Sequence, residues 1–295
     1  MILIDDLTKD YGNNLGIFNV KLGVKTGNTL GVIGTNGAGK TTLLRCLMGF
    51  IKPTSGDGSI NGRFIGEDTT EIMTFTGYVP GEIAFPDLKS GDEFLRLQAK
   101  SLRMQDLSHA KELVKALKLD TSANLKRMSK GMKQKTALVE AFMRNPSVLL
   151  LDEPTTGLDP LMRESFIDIT KKAQKNGTTI IMTSHLFEEL EELCNKVALI
   201  ENGRIKNVVY MEKIKRYPYK EFRIGLEDVN QLNDLCIPHE MLNTKDNEVT
   251  IKFHYRHLNQ FIKNISKIKI NYLIENKYSL ERYFNEFVLE SEKQK

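Results

Sequence analysis

The residues with the clearest chemical content form an octapeptide near the N-terminus, Gly34-Thr35-Asn36-Gly37-Ala38-Gly39-Lys40-Thr41, followed by Thr42. It fits the pattern G-x-x-x-x-G-K-[ST]. Glycines at these spacings let the backbone curl so that successive N–H groups converge on one anion, and the lysine adds a point charge. That is the chemistry of a phosphate cradle, with Lys40 reaching the β- and γ-phosphates and the Thr41 hydroxyl ligating Mg²⁺. The pattern alone also describes an ordinary glycine-rich turn, so its context decides. A second acidic constellation, Asp152–Glu153, ends the apolar run "VLLL" at 148–151. A carboxylate at the end of a buried strand can hold a metal shell, and the next residue can orient or deprotonate a water. His185 closes a third apolar run, "TTIIMTS", within reach of a γ-phosphate, although a lone histidine is more often structural. Tyr11, in "KDYGN", is a candidate for stacking on a base, against a plain packing role.

These groups need elements to hold them. Residues 29–33, "TLGVI", are a short apolar run that breaks at the glycine-rich loop, and "TTLLRCLMGF" follows with helical spacing. Strand, loop and helix are the context that the phosphate cradle requires. Near-continuous apolar runs alternating with helices predict an α/β fold whose parallel sheet is buried on both faces. Between the first two runs, about 88–144, "GDEFLRLQAKSLRM" and "SHAKELVKALKL" carry a 3.6-residue period and predict an inserted helical subdomain. Asn202–Gly203 between two apolar stretches predicts a hairpin turn. The basic, aperiodic segment "EKIKRYPYKEF" places a boundary at 216–217, and residues 217–295 mix strand-like and helical pieces without a chemical motif.

Composition excludes several classes. The chain has 295 residues, 40% hydrophobic and 27% charged, enough for a large domain plus a smaller one. Its 42 basic and 38 acidic residues leave a net charge of +4, too balanced for a nucleic-acid partner to be expected. Cys46, Cys194 and Cys236 are too scattered for a disulfide framework or a metal cluster, and fit idle thiols of a reducing compartment. "MILIDDLTKD" has no secretory pattern, and no apolar run reaches the roughly 18–20 residues of a membrane span. Any membrane role is therefore expected to run through a partner.

The order of the pieces is itself informative. The phosphate loop (34–41), "SKGMKQ" (129–134), "LLLDEPTTGLDP" (149–160) and "TSH" (183–185) occur together in one chain. Over about residues 1–215 this resembles the ATP-binding subunit of ABC transporters, closest to the drug- and peptide-exporting branch whose ATPase and permease are separate chains. The resemblance implies a P-loop NTPase fold with a RecA-like core, an antiparallel β subdomain, the helical insertion and a small α+β extension. It implies ATP and Mg²⁺ as cofactors, and a membrane permease as partner. It also implies a homodimer or a heterodimer with a related ATPase, at the cytoplasmic face of the membrane. In that family two ATPase domains pair head to tail, and each ATP lies between one P-loop and the opposite signature sequence. Position by position, Tyr11 falls at the adenine-stacking aromatic and Met128 to Met132 at the signature, with Ser129, Gly131 and Met132 toward the nucleotide. Gly157-Leu158-Asp159 falls at the loop that crosses to the other subunit, Glu153 at the catalytic glutamate and His185 at the switch histidine.

Two departures stand out. The glutamine usually found after the strand that follows the P-loop is replaced, in "GYVPGEIAFPDL", by Gly81 with Glu82 beside it. Either Glu82 substitutes as a metal ligand or water completes the Mg²⁺ shell. In the signature, Lys130 and Met132 replace glycine and glutamine. Its physical core survives, because Ser129 can cap the following helix and Gly131 permits close backbone approach. A soluble ABC-type ATPase acting on ribosomes or DNA is the competing reading. It is disfavoured because each motif occurs once and no heptad array lies between Thr41 and Ser129.

Overall fold

The computed structural model describes residues 1–227, 237–245 and 247–293. They fall into two compact units, Met1–Met211 and Glu212–Lys295, a division that lies just ahead of the expected boundary at 216–217.

The first unit opens with β1 (Ile2–Asp10) and β2 (Gly16–Val24), an antiparallel pair. Along β2, Ile17, Val20, Leu22 and Val24 point inward, so one face of the pair is apolar and the other meets solvent. β3 (Thr29–Ile33) is buried at every residue and runs through the glycine-rich loop into α1 (Lys40–Leu47). β4 (Ser55–Ile60) and β5 (Arg63–Phe64) complete an antiparallel sheet in the order β2-β1-β4-β5. After α2 (Thr69–Phe75) and β6 (Thr76–Val79) the chain enters a helical insertion of α3 (Gly91–Ser101), α4 (Ser108–Ala116) and α5 (Lys130–Phe142), inside the segment expected at 88–144. The start of α3 is specified locally. The Ser90 hydroxyl accepts from the Glu93 N–H at 3.2 Å while the Glu93 carboxylate reaches back to the Lys89 N–H at 2.8 Å.

β7 (Val148–Asp152), α6 (Pro160–Lys175), β8 (Thr179–Thr183), α7 (Phe187–Leu193), β9 (Lys196–Glu201) and β10 (Arg204–Tyr210) then finish the second sheet, and α8 (Met211–Lys215) follows. Its order is β10-β9-β3-β8-β7-β6, parallel except for β10. β3, β7 and β8 are buried along their whole length, as strands covered on both faces must be. The β9–β10 hairpin turns on Asn202 and Gly203, whose φ angles of 48° and 71° are the two positive values that a type I′ turn demands. The core packs the antiparallel sheet (Ile2, Leu7) and α1 (Leu44, Leu47) against the central strands (Leu30, Leu150). Cys46 and Cys194 are buried thiols, Cys46 with its pKa pushed up to about 11 by burial, and Cys236 lies outside the described residues. Among the described residues no helix is long and apolar enough to cross a membrane.

The second unit contains β11 (Tyr219–Leu226), β12 (Glu240–Lys245), β13 (Glu248–His254), α9 (Leu258–Ile265), β14 (Ile270–Glu275) and α10 (Leu280–Lys293). Its antiparallel sheet, β12-β13-β11-β14, buries Ile224, Val249, Ile251 and Phe253 against Phe261 and Ile265 of α9.

Candidate nucleotide site

In an open parallel sheet, ligands bind beyond the carboxyl ends of the strands. Here the register brings three such ends level, because Val32 of β3 and Asp152 of β7 both pair with Thr183 of β8. The glycine-rich loop leaves β3 at that level. Gly34 is required by contact, since a Cβ there would stand 2.2 Å from the Ile200 carbonyl oxygen. Gly39 is required by conformation, with φ of 108° at the N-cap of α1. Lys40 is 5% exposed, and its ammonium curls back under the loop to donate to the carbonyls of Gly34 (2.8 Å) and Thr35 (3.1 Å).

The loop floors an open cavity of about 380 Å³. Asn36, Gly37 and Gly39 through Thr42 line it, with Tyr11 and Leu15 on one rim and Glu153 on another. Thr35 and Asn36 are exposed and Ala38 is buried beneath the loop. Tyr11 is 53% exposed in the turn after β1, with the Lys9 ammonium over its ring, 5.4 Å from the centre.

The acidic pair splits its duties by geometry. Asp152 is 1% exposed; its Oδ1 accepts from the Thr183 hydroxyl at 2.7 Å, while Oδ2 is buried with no hydrogen-bond partner among the described residues. A buried carboxyl oxygen in that condition is costly unless something completes it, and a hard, oxygen-seeking cation is the fitting partner. Thr41, the other hydroxyl expected to serve a cation, lines the cavity above the glycine-rich loop. Gly81 faces the same atom: a Cβ there would lie 3.0 Å from Asp152 Oδ2, and Glu82 next to it is exposed. Nearby, the buried Tyr78 hydroxyl is pushed up to about 12, first by burial and then by the charge of Asp152.

Glu153 adopts φ of 47°, a left-handed conformation that costs a non-glycine residue about 1–3 kcal/mol and is held only where the surroundings over-determine it. The bend carries its carboxylate to within 3.7 Å of Lys40 Nζ and 3.7 Å of His185 Nδ1. His185 has a half-exposed side chain, and Ser184 before it is buried, its hydroxyl donating to Glu189 at 2.9 Å and accepting from the Leu186 N–H.

Ser129, Gly131, Met132 and Asp159 do not line this cavity among the described residues. They form a second locus. Ser129 caps α5, accepting from the Met132 N–H at 3.2 Å, and Asp159 caps α6, accepting from the Met162 N–H at 3.0 Å. The two caps are neighbours, since a Cβ on Gly131 would stand 2.8 Å from the Gly157 carbonyl oxygen. The first turn of α5 thus carries the positive end of the helix at an exposed Ser129 and Lys130. Sequence reasoning did not single out Thr183, Glu189 or Gln134. The last is 2% exposed and donates to the Pro154 carbonyl at 2.8 Å, tying α5 to the loop after Glu153. Of the three, only Thr183 carried a signal, as a polar residue closing the apolar run of β8.

Comparison with known proteins gives the family and the fold. The family model described as ABC transporter matches residues 17–156. The chain is 32% identical over 298 residues to the bacitracin transport ATP-binding protein BcrA of Bacillus licheniformis, covering 96% of each. It is 32% identical over 213 residues to the linearmycin resistance ATP-binding protein LnrL of Bacillus subtilis, covering 70% of this chain and 68% of that one. A solved ATP-binding subunit of an ABC transporter superposes with a TM-score of 0.67 at 27% identity, over 74% of this chain and 92% of the other. A dimeric ATP-binding cassette bound to ADP and phosphate in a post-hydrolysis state shares the fold, with a TM-score of 0.64 at 22% identity, over 72% of this chain and 99% of that one.

Proposed function

This chain belongs to the ATP-binding subunits of ABC transporters, and from that premise we propose that it hydrolyses ATP at the Lys40–Glu153 cavity to drive export of an amphipathic drug or peptide through a separate permease. The ATPase activity and the coupling to a membrane transporter are those of the family; the cargo class, the residue roles and the direction are our reading. One observation supports the roles best: at the level carboxyl ends of β3, β7 and β8, Glu153 follows Asp152 and reaches both Lys40 of the phosphate loop and His185.

In this mechanism the loop N–H groups and Lys40 hold the β- and γ-phosphates, and Tyr11 takes the adenine face. The Thr41 hydroxyl and Asp152 Oδ2 are the groups that would hold Mg²⁺. That ion, when bound, neutralises charge on the phosphate oxygens. Glu153 accepts the proton of the attacking water, and His185 orients the γ-phosphate against it. Gly81 leaves open the space next to Asp152 Oδ2, which favours water over a side chain there. Ser129, Gly131 and Met132 meet the ATP of a second subunit, with Asp159 at the crossing between them. Bound ATP then joins two surfaces that pair weakly without it, closing the dimer by differential binding, and hydrolysis releases it. The names of the bacitracin and linearmycin relatives support an antibiotic-like cargo. Work at the inner face of the membrane, through the permease, follows from the same reading.

The test is Glu153→Gln in protein co-expressed with its candidate permease. ATP should still bind and should hold the variant as a dimer, while turnover falls by about 10²–10⁴-fold, the usual contribution of a positioned base. Normal turnover would remove Glu153 from the role. Copurification with ribosomes or DNA, and with no membrane protein, would remove the transporter reading.

A further inference from the structure

We propose that Thr183 is a positioning residue whose one hydroxyl sets both halves of the acidic pair: the cation-facing oxygen of Asp152 and the bent backbone of Glu153. The proposal rests on the roles given above to Asp152 and Glu153. Thr183 is fully buried at the end of β8, paired directly with Asp152 in the parallel ladder. Its Oγ1 donates to Asp152 Oδ1 at 2.7 Å and accepts from the Glu153 N–H at 2.9 Å. A hydroxyl has one proton and two lone pairs, so both bonds form at once and neither competes with the other.

Each bond has a separate consequence. The donated bond occupies Oδ1, so the carboxyl group is locked in rotation and presents only Oδ2, the atom left buried without a partner. The accepted bond anchors the Glu153 amide where the chain leaves β7 with φ of 47°, and this turn sends the Glu153 side chain to Lys40 and His185 instead of along the strand. The next residue's hydroxyl, Ser184, is committed elsewhere, to Glu189 and Leu186, so it cannot take over either bond. The bland reading is that Thr183 is merely a β-branched residue suited to a buried strand. Valine would serve that purpose equally, and the hydroxyl alone separates the two readings. Partners of this kind, which orient a metal ligand without touching the metal, typically change metal affinity or activity by about 10–100-fold when lost.

The experiment uses the full chain with two pairs of variants that differ only in the hydroxyl: wild type against Thr183→Val, and Thr183→Ser against Thr183→Ala. Mn²⁺ binding to the nucleotide-loaded protein is read by electron paramagnetic resonance, and ATP-analogue binding without divalent cation by fluorescence. Within each pair, loss of the hydroxyl should weaken Mn²⁺ and raise the Mg²⁺ concentration needed for half-maximal ATPase by about 10–100-fold. Cation-free nucleotide binding at the glycine-rich loop should stay unchanged. Equal Mn²⁺ affinity within the pairs, or a serine variant as impaired as the alanine variant, overturns the proposal. Should Thr183→Val fail to fold by circular dichroism, the serine and alanine pair still decides. A Glu153→Gln protein with normal turnover would overturn the base assignment while leaving the Mn²⁺ comparison able to stand or fall alone.

Discussion

Replacing Gly131 by alanine sets a gain against a cost that the structure lets one weigh. Gly131 lies in the first turn of α5, and alanine there restores helix propensity worth about 0.5–1 kcal/mol. The added Cβ, however, would stand 2.8 Å from the Gly157 carbonyl oxygen, closer than a carbon and an oxygen can pack. The obstacle is backbone rather than a side-chain tip. Gly157 itself is in the left-handed region (φ 84°), in a turn closed by the Leu158 N–H on the Thr155 carbonyl, with the Asp159 cap immediately after. Overpacking against such a site costs about 1–3 kcal/mol, so the net effect is destabilising by about 1 kcal/mol. For a unit of this size that lowers the melting temperature by about 2–4 °C. The functional effect should be larger than the thermal one, because the contact joins the start of α5 to the loop carrying Asp159. Calorimetry, ATPase rate and nucleotide titration of the dilute protein separate these effects. We expect a lower melting temperature, depressed turnover, and unchanged nucleotide affinity, since neither residue lines the P-loop cavity. A raised melting temperature with full turnover would refute the argument, for it would make Gly131 an ordinary weak spot in a helix.

Two other substitutions probe separate parts of the unit. Ser129→Ala removes the bond from Met132 N–H and should cost about 1 kcal/mol by urea unfolding, whereas Ser129→Asp keeps the cap. The aspartate should restore stability yet leave ATPase low, because it puts negative charge where the phosphate of a second subunit's ATP is to bind; full activity in Ser129→Asp would contradict the anion-site reading. Glu140, half-buried on α5, has its pKa raised from 4.5 to about 7 by burial, against the opposing attraction of Arg144. Between these values the unfolded chain releases a proton that the folded chain keeps, so stability falls as pH rises from about 4.5 to 7 and then levels. At about 1.4 kcal/mol per pH unit over about 2.5 units, the penalty above pH 7 is on the order of 3–4 kcal/mol. Glu140→Gln should flatten that slope and gain stability at pH 8 relative to pH 5, measured by urea midpoints; an unaltered slope would place the titration on another group.

What could be read in the sequence and what could not follow from one physical distinction. The phosphate loop, the Asn202–Gly203 turn and the cap at Ser129 are local: a glycine φ, a hairpin of two residues or a hydroxyl three residues from its amide is written in adjacent letters. β3, β7 and β8 were legible for a similar reason, since burial on both faces leaves an unbroken apolar run. β1 escaped because "ILIDDLTKD" alternates weakly and is bent by irregular pairing between Ile4 and Lys9, so its pattern reads as a terminus. The site's connecting bonds escaped for a deeper reason. Thr183 meets Asp152 across 31 positions and Gln134 meets Pro154 across 20, and nothing in either neighbourhood announces the other. Parallel pairing creates these contacts only when the register is set, and the register is a property of the whole sheet. The same logic bears on the altered signature. Lys130 and Met132 change side chains that project from the first turn, while Ser129 and Gly131 keep the backbone functions of capping and close approach. On the proposed function a degenerate motif would preserve its chemistry, because the N-terminus of α5 is built by the two residues that did not change.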